Sequence, residues 1–230
     1  MNAKRGYVPE DDRNFSKESL TKMRTASRHV LYLINEGYDL KQATTFVGNH
    51  FILSERQRLA IARSVSVEEQ LNARKNKEKE SAEGSEVWID GFNAIITAEV
   101  LLSDSILFEG MDGTIRDLAA LRGTYKIIPE TRAAAEMIFD ELSEMKVSAV
   151  HILLDEPVSN SGRLKTLLAE IGEKYNLKLD IQIIREVDRE LYKKENVITA
   201  DAIILDNCIS WINLMKRIIK RHEINILRVW

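Results

Sequence analysis

A chain of 230 residues with 44% hydrophobic content is long enough for one full domain plus a small satellite. A net charge of −3 excludes a polycation that holds nucleic acid by bulk attraction, but the charge is uneven: residues 1–80 carry 15 Lys and Arg against 11 Asp and Glu, and residues 81–230 carry 18 against 25. The single cysteine, Cys208, excludes an internal disulfide and reads as core filler; with no export leader and no apolar run of roughly eighteen residues, the expectation is a cytoplasmic protein without a membrane span.

Residues 1–15 are charged, contain Pro9 and few apolar positions, and read as a flexible arm. Leu20, Met23, Val30 and Ile34 then recur on one helical face, and Gly37 follows as a stop. Asp39 caps a second helix with Gln42 three residues on, its apolar side being Leu40, Ala43, Phe46 and Val47, and Gly48 is expected to end it. Ser54 and Gln57 repeat the pattern ahead of a third helix through Leu59, Ala62 and Val65. Residues 16–66 therefore read as a three-helix domain. Its basic residues, Lys17, Lys22, Arg24 and Arg28 on the first helix and Arg56, Arg58 and Arg63 on the third, either solvate helix exteriors or line a surface that follows a nucleic-acid backbone. Residues 67–85 are almost wholly polar and read as a charged linker, either irregular or helical in part.

From residue 86 the period changes. Val87-Trp88-Ile89-Asp90 is a short apolar run ending in an acid, and residues 149–155 are a second run ending in Asp155. Residues 179–184, 197–199 and 224–229 read as three further strands. Between them, residues 130–146, 161–175 and 209–220 carry apolar positions at helical spacing. Near-continuous apolar strands alternating with helices predict an α/β fold over 86–230: a Rossmann-like parallel sheet of about five strands, covered on both faces, with ligands outside the carboxyl ends of the strands. Trp88, Trp211 and His151 read as packing residues; Trp230 is a candidate for docking onto the chain or onto a second copy in a homodimer.

Asp90 and Asp155 stand where an apolar strand gives way to a loop, and Asp201 follows the fourth strand by two residues. Each reads equally as a helix N-cap when taken alone. Together they would bring three negative charges to one sheet rim, a repulsion that a shared cation relieves. Oxygen ligands with no cysteine or paired histidine nearby select Mg²⁺ or Mn²⁺ over zinc. A second candidate is Ser159, Asn160, Ser161, Gly162, Arg163 and Lys165, where hydroxyls, backbone N–H groups and two cations at a helix start form either an anion cradle or a well-capped helix. Arg116, Arg122 and Lys126 either steer substrate or answer Asp112 and Asp117.

Val87-Trp88-Ile89-Asp90-Gly91-Phe92-Asn93 resembles the opening strand of the PIN-like nucleases, closest to their NYN branch, and residues 197–206 resemble the later segment in which a strand ends in Thr-x-Asp and enters a helix. The resemblance covers about 140 residues. It implies a metal-dependent ribonuclease acting on RNA, with Asp90 and Asp201 as principal ligands, Asp155 as the second-strand acid, and Asn93 and Thr199 as polar supports against the substrate. The helix Glu usual in that superfamily has no single match: Glu130, Glu136, Asp188 and Asp206 all stand as fourth acids, with Asp206 about 140° around a helix from Asp201. The whole chain also resembles an uncharacterised, mainly archaeal family with a helical N-terminal domain. The sequence thus supports three readings: an RNA-cleaving enzyme, a PIN-like RNA- or ribosome-associated binding module without activity, and a different metal-dependent phosphoesterase.

Overall fold

The computed structural model describes residues 4–119 and 123–230. It opens with one turn of helix, α1 (Asp11–Asn14), followed by α2 (Lys17–Asn35), α3 (Leu40–His50) and α4 (Glu55–Ser64). Ser16, Asp39 and Ser54 each accept from the backbone N–H three residues on, and Gln57 answers the Ser54 N–H to complete a capping box. Gly37, with φ of +87°, follows the end of α2 as expected. Gly48 does not end α3, which runs on to His50. A Cβ there would lie 2.6 Å from the Arg58 Nε, so the missing side chain makes room for α4.

The helical front does not stand apart from the rest of the chain. Its core of Met23, Ala26, Val30, Val47 and Ile61 continues directly into Phe108, Leu118 and Val229. The arm is docked over its described part: Arg5 binds the fully buried Glu99, and Asp11 holds Arg56. The stretch expected to be a charged linker contains α5 (Glu68–Lys77), whose Arg74 is only 1% exposed. Poor apolar content did not keep this helix off the protein, because the guanidinium finds Asp206, Asp112 and Ser66.

Beyond it lie β1 (Glu86–Asp90), α6 (Gly91–Leu102), the strands β2 (Leu107–Glu109) and β3 (Ile115–Asp117), α7 (Glu130–Glu144), β4 (Ala149–Asp155), α8 (Ser161–Gly172), β5 (Leu179–Ile184), α9 (Val187–Leu191), β6 (Val197–Ile198), α10 (Ala202–Asn207) and α11 (Leu214–Arg221). The parallel sheet runs β5-β4-β1-β6. Alternation along the strands divides two cores. Val87, Ile89, Val150, Ile152 and Leu154 pack with α6, α7, α8 and α11 on one face. Leu153 and Trp88 pack with Val187, Leu191, Leu205 and Trp211 on the other.

Two further expectations need correction. Residues 224–229 form no fifth strand of this sheet; Leu227 bridges Phe108 of the antiparallel β2-β3 pair, where Val229 can join the helical core. Among the described residues the parallel sheet has four strands. The helix expected over 209–220 begins only at Leu214, as α11, because residues around Trp211 turn inward to bridge Val197 and Glu78, and Asn213 caps the helix that follows. No described helix is long and apolar enough to cross a membrane.

The sheet order has a functional consequence. From β1 the chain moves outward through β4 to β5, then returns to the opposite side of β1 as β6. The crossovers diverge between β1 and β6, leaving a crevice at the carboxyl ends of these two strands.

Candidate functional site

Asp90 ends β1 and caps α6, its Oδ1 accepting from the Asn93 N–H at 3.3 Å. Its Oδ2 accepts from the Thr199 hydroxyl, two residues short of Asp201, and that hydroxyl in turn accepts from the Asp201 N–H. Asn93 completes the link by accepting from the Ala200 N–H at 2.8 Å. Asp201 caps α10 through bonds from the Ile203 and Ile204 N–H groups. Asp90 and Asp201 each therefore cap a helix with Oδ1, as the N-cap reading expects, and the Oδ2 of Asp90 is taken by Thr199. Gly91 is required by the packing of this turn, since a Cβ there would come within 2.9 Å of the Leu153 carbonyl oxygen and closer still to Leu154 and Ile152.

A cavity of about 670 Å³ opens over this crevice. Asp90, Asp155, Asp188 and Asp201 line it from the sheet rim, while Ile34, Leu40, Val67 and Arg63 line it from the helical front. Asp90 is the deepest of the acids, at 8% exposed. Burial pushes its pKa up to about 7; the Thr199 and Asn93 hydrogen bonds oppose that shift, and the charges of Asp201 and Asp155 reinforce it. Burial and then Asp188 raise Asp155, while burial and then Asp201 raise Asp188. Among the described residues, none of these four carboxylates is in a salt bridge with Lys, Arg or His.

The other expected positions fare differently. Asp206 also reaches the cavity wall, but both its oxygens are held by Arg74, at 2.6 and 2.9 Å. Ser159, Asn160 and Ser161 spend their side chains on backbone: Ser159 and Asn160 on Tyr125, Ser161 on the Asp155 and Val158 carbonyls. With exposed Gly162, Arg163 and Lys165 they lie off the cavity lining, and Asn160, at the start of α8 with φ of +64°, makes no side-chain cap hydrogen bond to the helix. Glu130 and Glu136 are on α7, away from the lining, and Glu136 meets Lys174. Arg116 answers Asp112, Lys126 is exposed, and Arg122 lies outside the described residues. Asp188 gained weight only once α9 turned it toward the rim; its charged surroundings offered no periodic signal. Trp230 docks on the chain, donating to the Glu109 carbonyl.

The donor set fits a hard divalent cation in chemistry: carboxylate oxygens, one of them buried and unpaired by any cation. Among the described residues no group of three His, Cys, Asp or Glu is arranged to hold a metal by itself. Mg²⁺ is commonly held by one or two carboxylates, with water and substrate phosphate completing its shell, and the residues here that could serve as such carboxylates are Asp90, Asp155 and Asp201.

Two family models match the chain. The family model described as "Domain of unknown function (DUF5616)" matches residues 79–217, and that described as "Protein of unknown function (DUF434)" matches residues 22–77. An uncharacterised protein of Methanocaldococcus jannaschii is 34% identical over 182 residues, covering 78% of this chain and 87% of its own. No solved structure matches.

Proposed function

The chain belongs to the family described as Domain of unknown function (DUF5616), and we propose that its acidic cleft is the active site of a Mg²⁺- or Mn²⁺-dependent endoribonuclease. One observation carries this reading: the buried Asp90, pushed up to about 7, faces Asp155 and Asp201 at the switch point of the sheet with no described Lys or Arg in a salt bridge to it. A protein that needed only a helix cap here would be more stable with Asn or Ser. The Asp-Gly-Phe-Asn turn at residues 90–93 and the Thr-Ala-Asp turn at 199–201 supply the likeness to PIN-like nucleases, and with it the phosphodiester substrate.

Asp90 and Asp201 would hold the ion, with Asp155 beside them. A bound divalent cation supplies water of lowered pKa and neutralises charge on the phosphate. Thr199 and Asn93 are positioning residues: they bond Asp90 and the strand ends to each other and leave little capacity for substrate. Asp188, whose charge raises Asp155, sets a second acidic margin where an incoming water can be oriented.

Incubating the purified chain with structured and unstructured RNA in Mg²⁺ or Mn²⁺ tests the reading. Cleavage that disappears in Asp90→Asn, with the fold retained, is expected; a folded wild type that cuts none of the RNAs with either ion overturns it. The second reading, an RNA-binding module without activity, draws on the absence of a three-residue metal group among the described residues. Salt-sensitive RNA binding without cleavage would select it.

A further inference from the structure

The helical front does more than cover the cleft: we propose that it supplies the cation that binds the substrate phosphate, and that this cation is Arg63 of α4. The inference rests on the nuclease reading above. Among the described residues three guanidinium groups line the cavity, those of Arg63, Arg74 and Arg116. Arg74 is spent on Asp206 and Asp112, and its side chain is 2% exposed. Arg116 is equally committed: Nη2 to Asp112, Nε to the Ala200 carbonyl and Nη1 to the Arg63 carbonyl, with its side chain 8% exposed. Arg63 differs. Its side chain is 39% exposed, and among the described residues its one side-chain hydrogen bond runs from Nη1 to the Asp117 carbonyl at 2.6 Å. The Asp117 carboxylate, which accepts from Thr97 and the Ala119 N–H, forms a long ion pair with the same Nη1 at 4.0 Å. Among the described residues the Nε and Nη2 edge of Arg63 makes no hydrogen bond, and such an edge matches two oxygens of a phosphate.

Two features separate Arg63 from an ordinary surface arginine. The other basic residues of α4 are engaged in structure, Arg56 by Asp11 and Arg58 by the Leu53 carbonyl and Asn49. In addition, Arg116 clasps the main chain of Arg63 with one nitrogen and that of Ala200, the neighbour of Asp201, with another. One buried guanidinium thus sets the distance between the proposed phosphate-binding cation and a proposed metal-binding acid. A phosphodiester lying between them would meet positive charge from the front and the ion from the sheet rim, so neither part alone would form the complete site.

Fluorescence anisotropy of a labelled RNA oligonucleotide of about twelve nucleotides, with full-length protein carrying Asp90→Asn to prevent cleavage, tests this. Adding Arg63→Gln should weaken binding by roughly ten- to a hundred-fold and reduce the slope of log affinity against log salt by about 0.7, the share of one phosphate contact on a single strand. A purely structural role would lower the melting temperature without altering that slope. Arg63→Lys should keep the slope and lose affinity several-fold, and it carries the test if the Gln variant does not fold. Unchanged affinity in either variant, beside a parent that binds and a wild type that cuts, overturns the role of Arg63 and leaves the nuclease reading standing. A parent that does not bind and a wild type that does not cut overturn both.

Discussion

Thr199 donates its hydroxyl to the Oδ2 of Asp90 across 3.0 Å, fastening the end of β6 to the end of β1 between residues 109 positions apart in the chain. The bond stabilises the charged form of a carboxylate that burial drives toward neutrality. In Thr199→Val that support is gone, and the Asp90 pKa should move above its present value of about 7. A pH-rate profile whose acidic limb shifts upward is the expected result; a limb that stays in place would mean that the hydroxyl does not act on Asp90.

Stability should report the same group. Folded Asp90 titrates near 7 against an ordinary 3.8. Between those values the native state holds a proton that the unfolded state has released, so this residue's contribution falls as pH rises from about 4 to about 7 and is level above. Asp90→Asn keeps a cap acceptor and cannot ionise. It should therefore exceed wild type in unfolding free energy above pH 7, by up to roughly 4 kcal/mol, with the two converging near pH 4. Urea titrations at pH 5 and pH 8 check this, and parallel pH dependence in the two proteins would contradict it.

Arg74 joins the helical front to the α/β part. Its guanidinium bonds Asp206 of α10 and Asp112 of the β2-β3 turn, and its carbonyl accepts from the Trp211 indole. Arg74→Ala would leave the Asp112 carboxylate, 1% exposed, with Arg116 as its remaining cation. The expected cost is about 3–5 kcal/mol in urea unfolding. A loss under about 1 kcal/mol would show that the two parts hold together without this network.

How much of this was legible in the sequence depends on the range of the forces involved. The strands 149–155 and 179–184 and the caps at Asp39 and Ser54 are local patterns, and they stand in the structure where the sequence puts them. Asp90 stood out because it ends an apolar strand, and Asp201 because it closely follows one. The three-residue strands β2 and β3 were not, since they mix Phe108 and Ile115 with Glu109, Arg116 and Asp117 and have no clear period. The alternation of 224–229 reads as a strand but says nothing about its partner, which proved to be this pair. Asp206 looked like a spare ligand because nothing local reveals Arg74, 132 positions away. Ser159, Asn160 and Ser161 have the composition of an anion cradle, yet composition does not say that Tyr125 and the Asp155 carbonyl consume them. Arg63 sat among seven other basic residues of the front, and only the fold turns it to the cleft.

The claim beneath all of this is that the carboxylates at the rim share a divalent ion, and a crystal of the full chain soaked in Mn²⁺ addresses it most directly. Anomalous density within about 2.0–2.3 Å of oxygens of Asp90 and Asp201, absent from an Asp90→Asn crystal, is the result expected. A fully soaked crystal with no peak in the cleft, or with manganese bound only elsewhere, would contradict it.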